Sequence, residues 1–358
     1  MMALEIALEN YESWKAGLQK SGASWYWKKH AFDLDRTELL AQLDNFRSTE
    51  SKPLSDTLDD YRSKMSMQTM LDELSMHVPE KIIEELLENK IGNPPSEIVS
   101  ARSGKLLSAT FNDLVLLSFV TKIKSALTQD PKDGQLRVIE IGGGYGGLSA
   151  KLKKLFPLAK ITIIDLPHAG LLQAYYLNQA LPMCRLEVIP LQASSLNKSS
   201  NDSTSDFRLI PSTRLDLIQN EEFELVVNTR SFMEMDRKTI HSYFDFIQRT
   251  LRVGGVFFNC NRIWKNAGDR PTQISKYPYD KKWQLVSLGT SFFQNNTIEI
   301  MARRTSVENP IFLTIVSRLP RTDYLIHGNR IRGFVELIRP SIPAVFTLTY
   351  WKRIRKYH

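Results

Sequence analysis

The stretch VIEIGGGYGGLSA, residues 138–150, decides how this chain is read. Five glycines fall within residues 142–147, directly behind a short apolar run. An apolar run that ends in glycines reads as a buried strand entering a tight turn, because residues without a Cβ turn sharply and let backbone approach a ligand. Two rival patterns overlap here. Gly142, Gly144 and Gly147 spell G-x-G-x-x-G. Glu140, Gly142, Gly144 and Gly146 spell acid-x-G-x-G-x-G, with Gly143 and Tyr145 filling the loop. Both place the N–H groups of a following helix, from about Gly147, against whatever the loop holds.

Outward from the loop, the chain alternates strand and helix patterns. RVIEI (137–141) is a strand, SAKLKKLF (149–156) a helix, ITIID (161–165) a strand and LLQAYYLNQAL (171–181) a helix. This alternation is a βαβ unit and implies a parallel sheet. RLEVIP (185–190) and FRLIP (207–211) are both strand-like, with the polar loop NKSSNDSTSD (197–206) between them. FRLIP is the better third strand, because it lies the usual dozen residues ahead of the strand FELVVN (223–228); RLEVIP and the serine-rich loop then form an insertion. RKTIHSYFDFIQRTL (237–251) is a helix ending near Gly254 and Gly255, VFFNCN (256–261) a fifth strand, and WQLVSL with TIEIMARR a closing hairpin. Upstream, TELLAQLDNF and EKIIEELLENK are amphipathic, and no glycine occurs between Gly22 and Gly92, which favours helices. IGNPPSE (91–97) is a turn. The helix over 108–127 that follows it has Ser108 or Thr110 as its cap.

Three features separate the two glycine patterns. Glu140 is a carboxylate inside the strand, where a pyrophosphate-cradling loop needs none and a cationic ligand would welcome one. Asp165 closes the second strand 23 residues beyond Gly142, where an acid accepts from ribose hydroxyls; this supports a nucleoside without choosing which. The glycine loop also sits deep in the chain, and the unit ends in an apparent antiparallel pair. With VIEIGGGYGG, IIDLP and FELVVNTRSFMEM, residues 105–304 resemble the class I methyltransferases that use S-adenosylmethionine (SAM). The frame VVNTRSFMEM, with Asn228, Ser231, Glu234 and Met235, and the segment KYPYDKKW (276–283) are similar to the sugar O-methyltransferases of bacterial polysaccharide and glycoside pathways. The resemblance implies a Rossmann-like, seven-stranded α/β sheet with a reversed strand. It implies SAM held by Glu140, Gly142, Gly143, Gly144, Tyr145, Gly146, Asp165, Leu166, Asn228 and Ser231; two strand candidates where one is expected leave the adenine contact open, with Ser212 a candidate for it. An NAD-dependent oxidoreductase and a non-catalytic methyltransferase-like assembly subunit are the competing expectations.

Methyl transfer to a hydroxyl asks the protein for positioning, water exclusion and a base. Glu234, just past the fourth strand, is the candidate base; a helix N-terminal acid looks the same in sequence. His241, seven residues on, could share its face or lie on the surface. Tyr277, Tyr279 and Asp280 could stack on a sugar ring and bind its hydroxyls, or be loop and packing residues. Glu234 and Asp236, one residue apart, make a poor octahedral site, so the expectation is metal-independent catalysis.

The remaining properties bound the setting. The chain has 358 residues, 42% hydrophobic and 24% charged, and thus enough length for a substantial core. Two distant cysteines, Cys184 and Cys260, make neither a disulfide framework nor a CxxC pair and fit a reducing cytoplasm. The N-terminal residues read as no signal peptide, and no run is long enough to span a bilayer. The formal charge is +8, much of it in the tail: nine Lys or Arg from Arg318 onward against Asp323 and Glu336. That tail, with Trp351 and KRIRK, could lie peripherally on an anionic membrane face, which would suit a lipid-linked glycan, or simply pack on the core. No nucleic-acid-binding motif accompanies it, so no nucleic-acid partner is expected. Self-association stays open. The expected organisation is a helical region over 1–104, in which Trp25, Tyr26 and Trp27 are core residues, a SAM domain over 105–304 and a basic extension over 305–358.

Overall fold

The computed structural model describes residues 4–11, 36–48, 64–87, 90–127, 135–166, 169–193, 205–218, 223–265, 271–291 and 297–319. Helices α1 (4–11), α2 (Arg36–Leu43), α3 (Lys64–Leu74) and α4 (Glu80–Leu87) are followed by the hairpin β1 (Glu97–Ser100) and β2 (Leu106–Ala109) and by α5 (Phe111–Ala126). Then come β3 (Arg137–Ile141), α6 (Gly147–Leu155), β4 (Lys160–Asp165), α7 (Ala169–Ala180), β5 (Leu186–Val188), β6 (Phe207–Pro211) and β7 (Phe223–Thr229). The chain continues through α8 (Arg237–Thr250), β8 (Leu251–Arg262), β9 (Trp264–Lys265), β10 (Thr272–Gln273), β11 (Trp283–Thr290), β12 (Thr297–Arg304) and α9 (Pro310–Ser317).

The main sheet has eight strands in the order β11-β12-β8-β7-β3-β4-β6-β5. β12 runs antiparallel to both β8 and β11, and every other pairing is parallel, so one strand alone is reversed. This is the expected Rossmann-like α/β sheet with one correction: it has eight strands rather than seven. FRLIP is indeed the strand beside β4, with Asp165 opposite Pro211. The supposed insertion RLEVIP supplies three residues that pair outside FRLIP as the edge strand β5.

β3 reads as a continuous apolar run because both its faces are covered. Val138, Ile161, Leu225 and Phe258 point to one face, under α5, α6 and α7. Ile139, Ile164, Val226 and Phe257 point to the other, under α8 and α9. Thr110 caps α5, its hydroxyl accepting from the Asp113 N–H at 3.0 Å. Asp236 caps α8 in the same way, from the Thr239 N–H at 2.7 Å.

The N-terminal region contains a hairpin as well as helices. The point 104/105 falls in its turn, where Ala101 N–H donates to Lys105 O at 2.8 Å. A buried ionic cluster ties this region to the sheet layer. Arg47 donates to Thr110 Oγ1 at 3.2 Å and Asp113 Oδ2 at 3.3 Å, and Lys151 Nζ lies 2.9 Å from Asp113 Oδ1. After β12 the chain does not leave the core at once: α9 packs Phe312 and Val316 against the α8 face of the sheet. The basic run beyond residue 319, the cluster Trp25–Tyr26–Trp27 and most of the serine-rich loop lie outside the described residues. Among the described residues, no helix is long and apolar enough to cross a membrane.

Candidate functional site

The parallel strands end together at one edge of the sheet, and β3 lies where the chain's crossovers reverse direction, between β4 and β7. Open α/β sheets bind ligands at such a point. The glycine loop is at this rim. Gly142, Gly144 and Gly146 have φ of 72°, 56° and 93°, the left-handed region that favours glycine. Their surroundings differ. A Cβ on Gly142 would meet Ser231 Oγ at 2.0 Å, and one on Gly143 would meet Ile163 Cγ2 at 2.6 Å. At Gly144 a Cβ would meet nothing within 4 Å among the described residues. The loop is therefore closed beneath and open at Gly144.

Asp165 fastens that open face. Its Oδ2 accepts from Gly144 N–H at 2.8 Å and from Gln173 Nε2 at 3.0 Å, and its Oδ1 accepts from Leu166 N–H at 2.7 Å. Gln173 also donates to Gly144 O at 3.0 Å. Asp165 keeps part of its surface at the rim, yet burial of the carboxyl outweighs these three donors and pushes its pKa up to about 7. A hollow of about 10 Å³ adjoins Asp165, Leu166, Gly170, Gln173 and Pro211. It holds no more than a water molecule. Ser212, behind Pro211, hydrogen-bonds the buried Tyr243.

Glu140 is 1% exposed and sits beneath the loop, not in it. It accepts from the Ser149 hydroxyl in the first turn of α6. Burial, opposed by Ser149 and reinforced by Asp165, raises its pKa to about 8. Its geometry is that of an anchor beneath the loop. Tyr145 is buried: its ring lies 4.8 Å from that of Tyr176, and Arg47 stacks on it at 5.0 Å. It supports the loop from behind.

The segment after β7 is held by buried amides. Asn228 donates to Ile141 O at 2.9 Å and accepts from Asn261 Nδ2 at 2.8 Å; Asn261 Oδ1 accepts from Met233 N–H at 3.1 Å. Asn228 is fully buried and acts through this network, whereas Ser231 touches Gly142. Glu234 lies in the short turn Phe232–Glu234 and forms an ion pair with Lys265 of β9. Both belong to the rim.

Four expected site residues lie elsewhere. His241 is exposed on α8 while Ile240, Tyr243 and Phe244 face the sheet, so it does not share a face with Glu234. Tyr277 and Tyr279 are each 6% exposed, packed in the core against Phe244 at ring distances of 5.7 and 4.7 Å. The cause is topological. β8 ends at the rim and β11 starts at the opposite edge, so residues 274–282 must descend the sheet face, and their aromatic rings fill the layer a crossover helix would otherwise occupy. Asp280 ends up at the far edge, its Oδ1 2.5 Å from Arg304 Nη1. A sugar platform built from these three is therefore corrected to core packing and a structural ion pair.

Among the described residues, no group of three or more His, Cys, Asp or Glu is placed to hold a metal. A separate groove of about 530 Å³ runs between α4, the β1–β2 hairpin, α6 and α7; none of residues 142–147 lines it.

No protein-family model matches the chain, and no curated protein does. Solved structures match over about half of it. An rRNA methylase from Streptococcus thermophilus is 15% identical, covering 52% of this chain and 96% of that one with a TM-score of 0.36. A SAM-dependent methyltransferase from Clostridium acetobutylicum is 13% identical over 52% and 89%, with a TM-score of 0.35. TehB from Haemophilus influenzae is 15% identical over 57% and 72%, with a TM-score of 0.34. Likenesses of this size carry no inference about chemistry; strand order and loop geometry do.

Proposed function

We propose that this chain is a SAM-dependent methyltransferase and that its acceptor is a sugar hydroxyl. One observation carries the cofactor reading: Gly144, at φ 56° with open space where a Cβ would stand, is hydrogen-bonded to Asp165 at the rim of a sheet with one reversed strand. The residues present fit SAM. The Gly142–Gly146 backbone would cradle it, Asp165 would accept from its ribose hydroxyls, and Leu166 would flank the nucleoside. Two carboxyls at and beneath the loop, Asp165 and Glu140, would be stabilised in their ionised form by a cationic ligand and opposed by a pyrophosphate. The reversed β12 also departs from the all-parallel dinucleotide arrangement.

When bound, SAM supplies a methyl group already activated by its sulfonium. The chain's own work is to hold the acceptor in line, exclude water and take the hydroxyl proton. Glu234 is the rim carboxylate for that proton, with Lys265 fixing its orientation. The sugar acceptor rests on the sequence frame 226–235 and on Glu234.

The test is transfer of labelled methyl from SAM to bacterial glycan fractions. Glu234→Gln is expected to lose about 10²–10⁴ in turnover, the usual range for a general base, while S-adenosylhomocysteine still binds. Normal turnover of this variant would remove Glu234 as base. Methyl transfer by the wild-type chain to protein or RNA and not to glycans would contradict the acceptor.

A further inference from the structure

Among the described residues only Asn93 and Arg230 have positive φ without being glycine. Asn93 lies in a surface turn, where asparagine adopts this conformation readily. Arg230, at φ 63°, follows the last residue of β7. A left-handed arginine costs about 1 kcal/mol or more and persists only where its surroundings fix it. Here its N–H donates to Cys260 O of β8 at 2.7 Å, and the next residue, Ser231, rests on Gly142.

The side chain is linked to the glycine loop through Asn112. Arg230 Nη2 donates to Asn112 Oδ1 at 3.1 Å, and Asn112 Nδ2 donates to the Tyr145 hydroxyl at 3.0 Å. Asn112 is 2% exposed, but Arg230 is half-buried and reaches the rim. Its positive charge acts on Glu140, directly beneath the loop. The loop thus has two chemically distinct ends. Asp165, at Gly144, suits ribose hydroxyls. Arg230, reaching the loop through Ser231 at Gly142 and through Asn112 at Tyr145, is a cation and suits a carboxylate.

We propose that Arg230 receives the carboxylate of the amino-acid end of SAM and so makes the site select the amino-acid-bearing cofactor over a bare nucleoside thioether. The proposal rests on the SAM reading of the site. A guanidinium presents several donors in one plane and matches a carboxylate in two-pronged fashion, while the Asn112 amide holds it in place. An ammonium bound above Glu140 would favour the ionised form of that carboxyl, while Arg230 takes the carboxylate of the same zwitterion.

The experiment is titration calorimetry of the full chain with S-adenosylhomocysteine and, separately, with 5′-methylthioadenosine, which lacks the amino-acid end. Arg230→Ala is expected to weaken S-adenosylhomocysteine by about 10- to 100-fold, the range for a lost charge-assisted hydrogen bond. Methylthioadenosine should change less than about twofold on the same ground. Arg230→Gly, which accepts the backbone conformation without strain, should show the same selective loss at unchanged or higher thermal stability. Arg230→Lys should recover part of the affinity. Unchanged S-adenosylhomocysteine binding in Arg230→Ala, or equal weakening of both ligands in Arg230→Gly, would overturn the proposal, the latter showing loop support alone. If the wild-type chain binds neither ligand, the SAM reading itself falls and takes this assignment with it.

Discussion

Two regions of this molecule bury carboxyls and treat them in opposite ways. At the seam between the N-terminal region and the sheet, Asp113 is 1% exposed, and burial alone would raise its pKa. Lys151 and Arg47 on either side outweigh that and hold it below the usual carboxylate range. At the rim, burial raises Asp165 to about 7, because its partners are two backbone N–H groups and the Gln173 amide, all uncharged. Burial raises Glu140 to about 8, and the Arg230 charge opposes this only weakly. The seam supplies its own counter-charge and is a finished structural joint. The rim leaves Asp165 with uncharged partners and Glu140 with only a weak influence from Arg230, so a cation added there would stabilise both carboxylates.

The comparison breaks most easily at the seam. Asp113→Ala leaves Arg47 and Lys151 buried without their anion and should cost about 3–5 kcal/mol, read from denaturant unfolding. A change below about 1 kcal/mol would mean that water reaches the cluster and that the seam is no different from the rim. Tyr279→Ala should cost a similar amount, about 3–5 kcal/mol, by emptying the aromatic layer around Phe244, Trp283 and Phe312. A stable Tyr279→Ala variant that had lost only turnover would restore that tyrosine to the acceptor site.

At the rim the same logic predicts ligand effects with little loss of fold. Asp165→Asn keeps the size of the side chain but replaces one accepting oxygen with an NH2 donor, and should weaken S-adenosylhomocysteine by about 10- to 100-fold. Apo stability should fall by only about 1–2 kcal/mol, the cost of setting an NH2 against one loop N–H; a collapse comparable to that of Asp113→Ala would erase the distinction between the two regions.

The smallest effect concerns pH, with opposite signs in the two places. Asp113 has a depressed folded pKa, so its contribution is present above the unfolded value of about 4 and is lost as pH falls through the folded value. Glu140 and Asp165 have raised folded values. Their contribution is complete below about pH 4 and is lost as pH rises through about 7 for Asp165 and about 8 for Glu140. Glu140→Gln should therefore flatten the fall in apo stability between about pH 5 and 8. An unchanged slope would show that Glu140 is ionised beneath the loop without help.

Much of the sheet was legible in the sequence because its strands are buried on both faces and appear as short apolar runs. VIEIGGGYGG, ITIID, FRLIP and the pair 283–304 each became the element expected of them. RLEVIP was legible as strand-like but its place in the sheet was not, because Leu186–Val188 is only three residues long and joins the sheet only through its pairing with β6. The β1–β2 hairpin was missed for a related reason. Its strands are four residues each, and Ser100 is fastened by Gln68 through two hydrogen bonds of 2.8 and 2.9 Å. At the site, glycine spacing revealed the loop, and an acid at the end of a strand revealed Asp165. The tyrosines of 276–283 misled because aromatic residues beside a charge look alike in a binding loop and in a crossover packed on a sheet. Arg230 and Asn112 gave no local signal; they meet across 118 positions of chain.

The central claim is that the open glycine face at the rim takes a nucleoside bearing an amino acid and a sulfur centre. Calorimetric titration of the purified chain with S-adenosylhomocysteine and with NAD, side by side, tests it most directly. Saturable binding of S-adenosylhomocysteine with no response to NAD is the predicted result. Binding of NAD with no response to S-adenosylhomocysteine would contradict it.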